Sequence, residues 1–287
     1  MGYKLTRKDF GNDPLLDTLV ALKKTLAELG LELYIVGAGA RDICMKVLKS
    51  PPPMRGTTDI DIAIALDNWD MFDLVSQRLQ SNYFKKDLWA KQKFFYKGPN
   101  GENDYEVDVV PFGKLANNEV IGWPPEGNPE MSVRCFTDVM SVAEKVRIDD
   151  IVEFLIAPLS GQFLIKLDTW IDRHAKTNKD AYDMFYLANN FYWANIIDKF
   201  PPPEEVVDAD ASNFDLFLAG IQWMAAELKL ILTDAHRRYY AEYLDEEITL
   251  GEKSPLFRDL AEAANGNIGD TSIIMTAMKQ FAKIIEP

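Results

Sequence analysis

Cysteine and histidine are nearly absent from this chain, with two of each in 287 residues. Cys44 and Cys135 are too few for a disulfide framework, which favours a reducing, cytoplasmic setting. Scattered singly, they and the two histidines leave no zinc-ligand spacing. Long apolar runs are missing as well. No stretch of about 18 apolar residues occurs, so no membrane span is expected. The first residues lack the charged-then-apolar pattern of a secretory leader, so none is expected there. Basic charge is in deficit: 31 Lys and Arg face 45 Asp and Glu, a formal net charge of −14. Residues 1–150 hold 23 acids and 19 bases (−4), whereas residues 151–287 hold 22 and 12 (−10). Such a balance disfavours indiscriminate nucleic-acid binding, which rests on Lys and Arg neutralising phosphates, so any RNA contact must use a local patch. There is no fixed-period repeat. With 47 % hydrophobic residues, the chain has ample material for one large or two ordinary domains.

The chemistry-bearing feature is RGTTDIDIAIAL, Arg55 to Leu66. Side chains alternate along a strand, so Asp59 and Asp61 share one face while Ile60, Ile62 and Ile64 share the other. Two carboxylates side by side repel each other. A hard divalent cation such as Mg²⁺, bound through oxygen, is the compensation available at neutral pH. Surface strands carry such pairs by chance, but two neighbours add weight. Upstream, LYIVGAGARDI (Leu33 to Ile43) reads as a strand, a glycine turn and a helix start, which offers backbone N–H groups and a positive dipole end to phosphate oxygens. Downstream, YEVDVVPFG (Tyr105 to Gly113) alternates as a strand and supplies Asp108 as a third carboxylate.

The rest of the chain divides by period. Leucines at 15, 16, 19, 22, 26 and 29 predict a helix from Pro14 that Gly30 stops. Another helix is predicted from Asn68 to Leu79, and a hairpin from Phe94–Lys97 and Asp104–Val110 around PNGEN. Pro51, Pro52 and Pro53 force an extended loop, and residues 113–130 read as a long loop with short pieces of structure. From about Pro158 the pattern turns helical, with helices over Leu159–His174, Lys179–Trp193, Phe214–Leu232 and Thr271–Ile285; residues 201–212 read as a linker. An α/β module followed by an α-helical module, with a boundary near residue 150, accounts for this.

The motif order, a G-x-G turn, an R-x-T-x-D-I-D strand and a later apolar-Asp-apolar strand, resembles the DNA polymerase β superfamily of nucleotidyltransferases. LIKLDTWIDRHAKTNKDAYDMFYL, Leu164 to Leu187, resembles the K…R…KD..D pattern of its AbiEii-like abortive-infection toxin branch. The likeness spans about Leu33 to Tyr192. It implies an α/β (α+β) nucleotidyltransferase-fold domain with a mixed sheet over residues 1–150, followed by an α-helical domain over 151–287 that completes the cleft for nucleotide and acceptor. It further implies an enzyme that moves a nucleoside monophosphate from an NTP, such as ATP, to an acceptor hydroxyl, using two Mg²⁺ ions. In the toxin-like branch the acceptor is RNA or protein, and an antitoxin is the expected partner. On this resemblance Asp59, Asp61 and Asp108 are the metal ligands and catalytic carboxylates, and Gly37, Ala38, Gly39, Arg41, Thr58, Lys166 and Asp180 bind the nucleotide.

Two departures stand out. Many relatives have Gly-Ser in the turn, where this chain has Gly37-Ala38-Gly39-Ala40, so phosphate binding is left to backbone N–H groups and cations. Arg41-Asp42 is reminiscent of the tRNA CCA-adding enzymes, yet no E-D-x-x-R motif follows. An aminoglycoside-type enzyme, whose cationic acceptor suits acidic walls, and a degenerate protein that binds nucleotide without turnover are the other readings.

Several residues carry two readings. Lys166, Arg173, Lys176 and Lys179 read as the solvated side of a helix. Alternatively, Lys166, set in the apolar run FLIKL, faces an anion such as triphosphate, since burying an unpaired ammonium is costly. Asp180 and Asp183, at i and i+3, serve either the helix dipole or catalysis. His174 reads as ending its helix, and Arg55 and Thr57 as shaping the turn before the strand. Trp123 stacks on a base or packs its loop, and Tyr239, Tyr240 and Tyr243 read mainly as helix packing.

Overall fold

The computed structural model describes residues 2–11, 13–51, 58–196, 202–210, 212, 214–265 and 271–287. Two compact units emerge: residues 1–47 with 54–158, and residues 48–53 with 159–287.

The first unit is α/β. In chain order it comprises β1 (Gly2–Leu5), α1 (Leu15–Ala27), β2 (Tyr34–Val36), α2 (Gly37–Val47), β3 (Asp59–Ala65), α3 (Trp69–Ser81), β4 (Phe84–Lys86), β5 (Lys93–Tyr96), β6 (Tyr105–Phe112), β7 (Val120–Gly122), β8 (Glu130–Ser132), α4 (Phe136–Ser141), β9 (Glu144–Ile148) and β10 (Val152–Ile156). Eight strands form one mixed sheet in the order β1-β9-β10-β2-β3-β6-β5-β4, and β7 pairs with β8 separately. β3 and β6 are parallel interior neighbours, and β5 runs antiparallel to β6.

Local chemistry explains these elements. Leu16, Leu19, Leu22 and Leu26 bury one stripe of α1, and the chain leaves that helix through Gly30 at positive φ. The Asn68 side chain accepts from the Met71 N–H at 3.0 Å and so caps α3, whose Phe72, Val75 and Leu79 turn inward. The hairpin around PNGEN forms as β5 and β6, with Tyr96 opposite Tyr105. Residues 113–130, expected as a long loop with short pieces of structure, contain the short β7, which folds back on β8 as a small hairpin. Trp123 beside it is buried against Trp69 and Phe72, at centroid distances of 5.2 and 5.1 Å, so it packs its loop. The sheet also takes in β9 and β10, so the first unit continues to Pro158, beyond the boundary expected near 150.

The second unit is helical: α5 (Leu159–Arg173), α6 (Lys179–Ile196), α7 (Leu216–Ile231), α8 (Asp234–Leu250), α9 (Pro255–Ala264) and α10 (Thr271–Ile285). α5 is buried over Leu159–Asp168 and at Trp170, with the polar Ser160, Gln162, Lys166 and Asp168 included. Two of its buried polar groups are tied to neighbouring helices: Tyr240 donates to Asp168 at 3.0 Å, and Trp170 Nε1 donates to Asp259 at 3.0 Å. Tyr240 is thus a core residue, as the packing reading of that tyrosine cluster requires. α6 and α7 cross closely at Gly220, where a Cβ would stand 2.0 Å from the Ala188 carbonyl oxygen. Among the described residues, no helix is long and apolar enough to cross a membrane.

Candidate metal centre

The site grows from the alternation of β3. Ile60, Ile62 and Ile64 are fully buried, which turns Asp59 and Asp61 to the other face, where both are half-buried. β6 repeats the pattern, with Val107 and Val109 buried and Glu106 and Asp108 half-buried. Parallel pairing sets Asp59 opposite Glu106 and Asp61 opposite Asp108, so four carboxylates share one face of two adjacent strands. Asp108 therefore joins the other two aspartates across the intervening chain. Asp104 lies outside the strand, exposed and paired with Lys97.

The close cluster is not the expected trio. Carboxylate oxygens of Asp59, Glu106 and Asp108 lie within 4.8 Å of one another. Asp61 is turned toward α2 instead: a Cβ on Gly37 would sit 2.0 Å from Asp61 Oδ2. Glu106 was legible in YEVDVV, since it is two residues from Asp108 and so on the same face, but nothing in the spacing alone distinguished it from a solvated partner.

The strand runs directly into α2 at Gly37, whose φ of +68° suits glycine. No loop intervenes between β2 and α2; the first turn of the helix supplies the N–H groups that lack intrahelical acceptors. Gly37 and Ala38 are half-buried there. Gly39 is buried, and a Cβ on it would meet Ile60 Cδ1 at 2.4 Å, so its missing side chain serves helix–sheet packing rather than an open nucleotide cradle. Arg41, expected at the phosphates, is 3 % exposed and forms a 2.7 Å ion pair with Asp42, which withdraws it from solvent. Thr58 is exposed beside the first residue of β3; Arg55 and Thr57 lie outside the described residues.

A cation overlooked in the sequence faces the cluster. Lys93 on β5 is in register with Asp108 and ion-paired with Glu106. Burial works against its charge, but the hydrogen bond to Glu106 and the charges of Asp108, Glu106 and Asp59 outweigh it and hold its pKa above the ordinary lysine value.

Lys166 and Asp180, expected at the nucleotide, are placed otherwise, within the helical unit. The Lys166 ammonium lies 2.7 Å from Asp183 and 3.4 Å from Asp180. Arg173 grips Asp180 with two hydrogen bonds, at 2.7 and 2.8 Å. The anion that a buried lysine requires is therefore supplied by α6. Asp180 is wholly buried, closed to a nucleotide. Burial pushes its pKa up, but Arg173 and Lys166 prevail and hold it below the usual carboxylate value. Lys176 is exposed, and the His174 ring stacks on Trp170 just past the end of α5.

The donor set fits a hard cation. It is all carboxylate oxygen, with neither sulfur nor imidazole, which suits Mg²⁺ or Mn²⁺ rather than zinc.

No family model and no curated protein matches the chain. Several solved structures show a distant likeness. An antigenic nucleotidyltransferase-like protein from Paracoccidioides brasiliensis aligns at 17 % identity and a TM-score of 0.41, covering 64 % of this chain and 77 % of its own. The CdnE cyclic dinucleotide synthase from Elizabethkingia meningoseptica, in a structure with GTP and Apcpp, aligns at 11 % and 0.30, covering 80 % and 82 %. Likenesses of this extent establish neither family nor activity, which leaves the geometry to carry the functional reading.

Proposed function

We propose that the chain is a metal-dependent nucleotidyltransferase, moving a nucleoside monophosphate from an NTP to an acceptor hydroxyl. One observation carries the reading: two parallel interior strands present Asp59, Asp61 and Asp108 on one face, with the start of α2 beside them. Oxygen-only donors would hold Mg²⁺ through Asp59 and Asp108, whose oxygens already lie together, with Asp61 turning in from the α2 side of the same face. When bound, the ion supplies positive charge for the phosphate oxygens of an in-line displacement.

The chain's own groups do the rest. Asp108 takes the proton of the acceptor hydroxyl as its oxygen bonds to the α-phosphorus. The bond from that phosphorus to the bridging oxygen breaks, and pyrophosphate leaves with the electron pair. Backbone N–H groups in the first turn of α2, at Gly37 and Ala38, receive phosphate oxygens, a role that needs no serine. Thr58, exposed beside the first residue of β3, is the proposed contact for the incoming nucleotide. The K…R…KD..D segment contributes a buried ion cluster that fixes α5 to α6, not a phosphate contact. As in the toxin-like branch that the motifs resemble, the acceptor is RNA or protein, and a neutralising antitoxin is the corresponding partner.

Purified protein incubated with Mg²⁺ and each α-³²P-labelled NTP, with RNA, protein and aminoglycosides in separate reactions, tests this. Label in the RNA or protein pool is the expected result. Label on the aminoglycoside alone would replace the acceptor class, and nucleotide binding without label anywhere would make the fold a degenerate binding module.

A further inference from the structure

We propose that Lys93 is a built-in cation of the carboxylate face, engaging Glu106 so that Asp59, Asp61 and Asp108 take one divalent ion where the motif alone suggests two. The inference rests on the cation reading of the site given above and concerns how many ions it holds.

The placement is built into the sheet. β5 sets Lys93 opposite Asp108, and Glu106, two residues along β6, shares that face. Glu106 is in turn opposite Asp59 on β3. The ammonium therefore faces these carboxylates and is ion-paired with Glu106, two residues along β6 from the directly opposite Asp108. Lys93 is also clamped at its backbone. The Asp87 carboxylate accepts from the Trp89 and Ala90 N–H groups, each at 2.8 Å. Lys93 N–H donates to the Ala90 carbonyl at 3.0 Å, and its own carbonyl accepts from Asp87 N–H at 2.9 Å. A turn so closed fixes where the Lys93 backbone leaves β5, and the ion pair with Glu106 fixes where its ammonium lies.

Two consequences follow from charge. A Glu106 that is hydrogen-bonded to an ammonium has less capacity to ligate a metal. A second divalent ion on the same half-buried face would also meet the repulsion of a fixed positive charge a few ångströms away. Lys93 thus offsets part of the like-charge repulsion that four neighbouring carboxylates create, and does so with no metal bound. It acts on the ion's ligands rather than on the substrate, which makes it a positioning residue.

Counting bound Mn²⁺ per chain by electron paramagnetic resonance tests the proposal without reference to turnover. The wild type and Lys93→Arg, which keeps the charge, should bind one ion. Lys93→Met, which releases Glu106, should bind a second. Glu106→Gln should keep the single ion, with affinity changed by no more than about threefold, whereas Asp108→Asn should lose it. Two ions on the wild type, a single ion on Lys93→Met, or loss of the ion from Glu106→Gln would each overturn the proposal. The wild-type count and Glu106→Gln decide it even if Lys93→Met fails to fold. Absence of Mn²⁺ from every form would overturn the cation reading of the site itself, and the role of Lys93 with it.

Discussion

Asp61 and Gly37 depend on each other. The glycine has a backbone conformation that side chains resist, and the space its Cβ would fill is taken by the aspartate oxygen. Gly37→Ala should therefore destabilise the protein by about 1–2 kcal/mol, combining strain at positive φ with displacement of Asp61. Paired with Asp61→Ala the penalty should shrink but not vanish, because relieving the clash leaves the dihedral strain; denaturant melts of the two single variants and the double variant measure this. Asp61→Asn and Asp108→Asn should lower label transfer about a hundredfold or more while leaving metal-free thermal stability unchanged or raised, since each removes one of several like charges. A marked fall in melting temperature would make those carboxylates structural. Asp104→Asn, on an exposed position outside the strand, should leave transfer intact.

At the scale of the element, α5 and α6 are joined through Asp180, held between Arg173 and Lys166. Asp180→Ala should cost about 2–3 kcal/mol, toward the low end for a broken buried pair, because Lys166 retains Asp183 and Arg173 can turn to water. The pH dependence has a definite sign. A carboxyl whose pKa is lowered on folding contributes stability that is whole above its unfolded value and is lost as pH falls through the lowered folded value. Asp180→Asn should flatten the acid limb of the stability curve below the ordinary aspartate range, as read from urea midpoints across pH. This element also shows where sequence reasoning stops. FLIKL announced a buried ammonium in need of an anion, and that held; which anion is a matter of tertiary placement, and Asp183 was visible one turn from Asp180 without any sign that it would be the partner. The strands β3 and β6 were legible because two-residue alternation is strong in DIDIAI and YEVDVV. β9 and β10 were less so, each five residues long and joined across Asp149 and Asp150 without the usual glycine turn signal. Register is what brought Glu106 and Lys93 to the site, and register is not written in a single strand.

Across the whole molecule, a formal charge of −14 sets behaviour in solution. Added salt should raise the melting temperature by screening self-repulsion, most steeply below about 0.15 M, which a sodium chloride series in scanning calorimetry will show. Unrelated duplex DNA should not be retained at low salt in a mobility-shift assay, since few bases are available to release its counterions. Any acceptor must be selected by shape and local contacts. One pairing in the sheet bears on how the chain comes to be folded at all. β1 is an edge strand whose parallel partner is β9, with Gly2 opposite Lys145. During synthesis β1 is made roughly seven to thirty seconds before residues 144–148 exist to receive it. Tyr3 and Leu5, buried in the finished sheet, spend that interval without the strand that pairs with theirs. Nascent chains stalled before residue 144 should therefore leave this segment open to protease, while chains released after Pro158 protect it, so β1 is among the last parts of the sheet to settle.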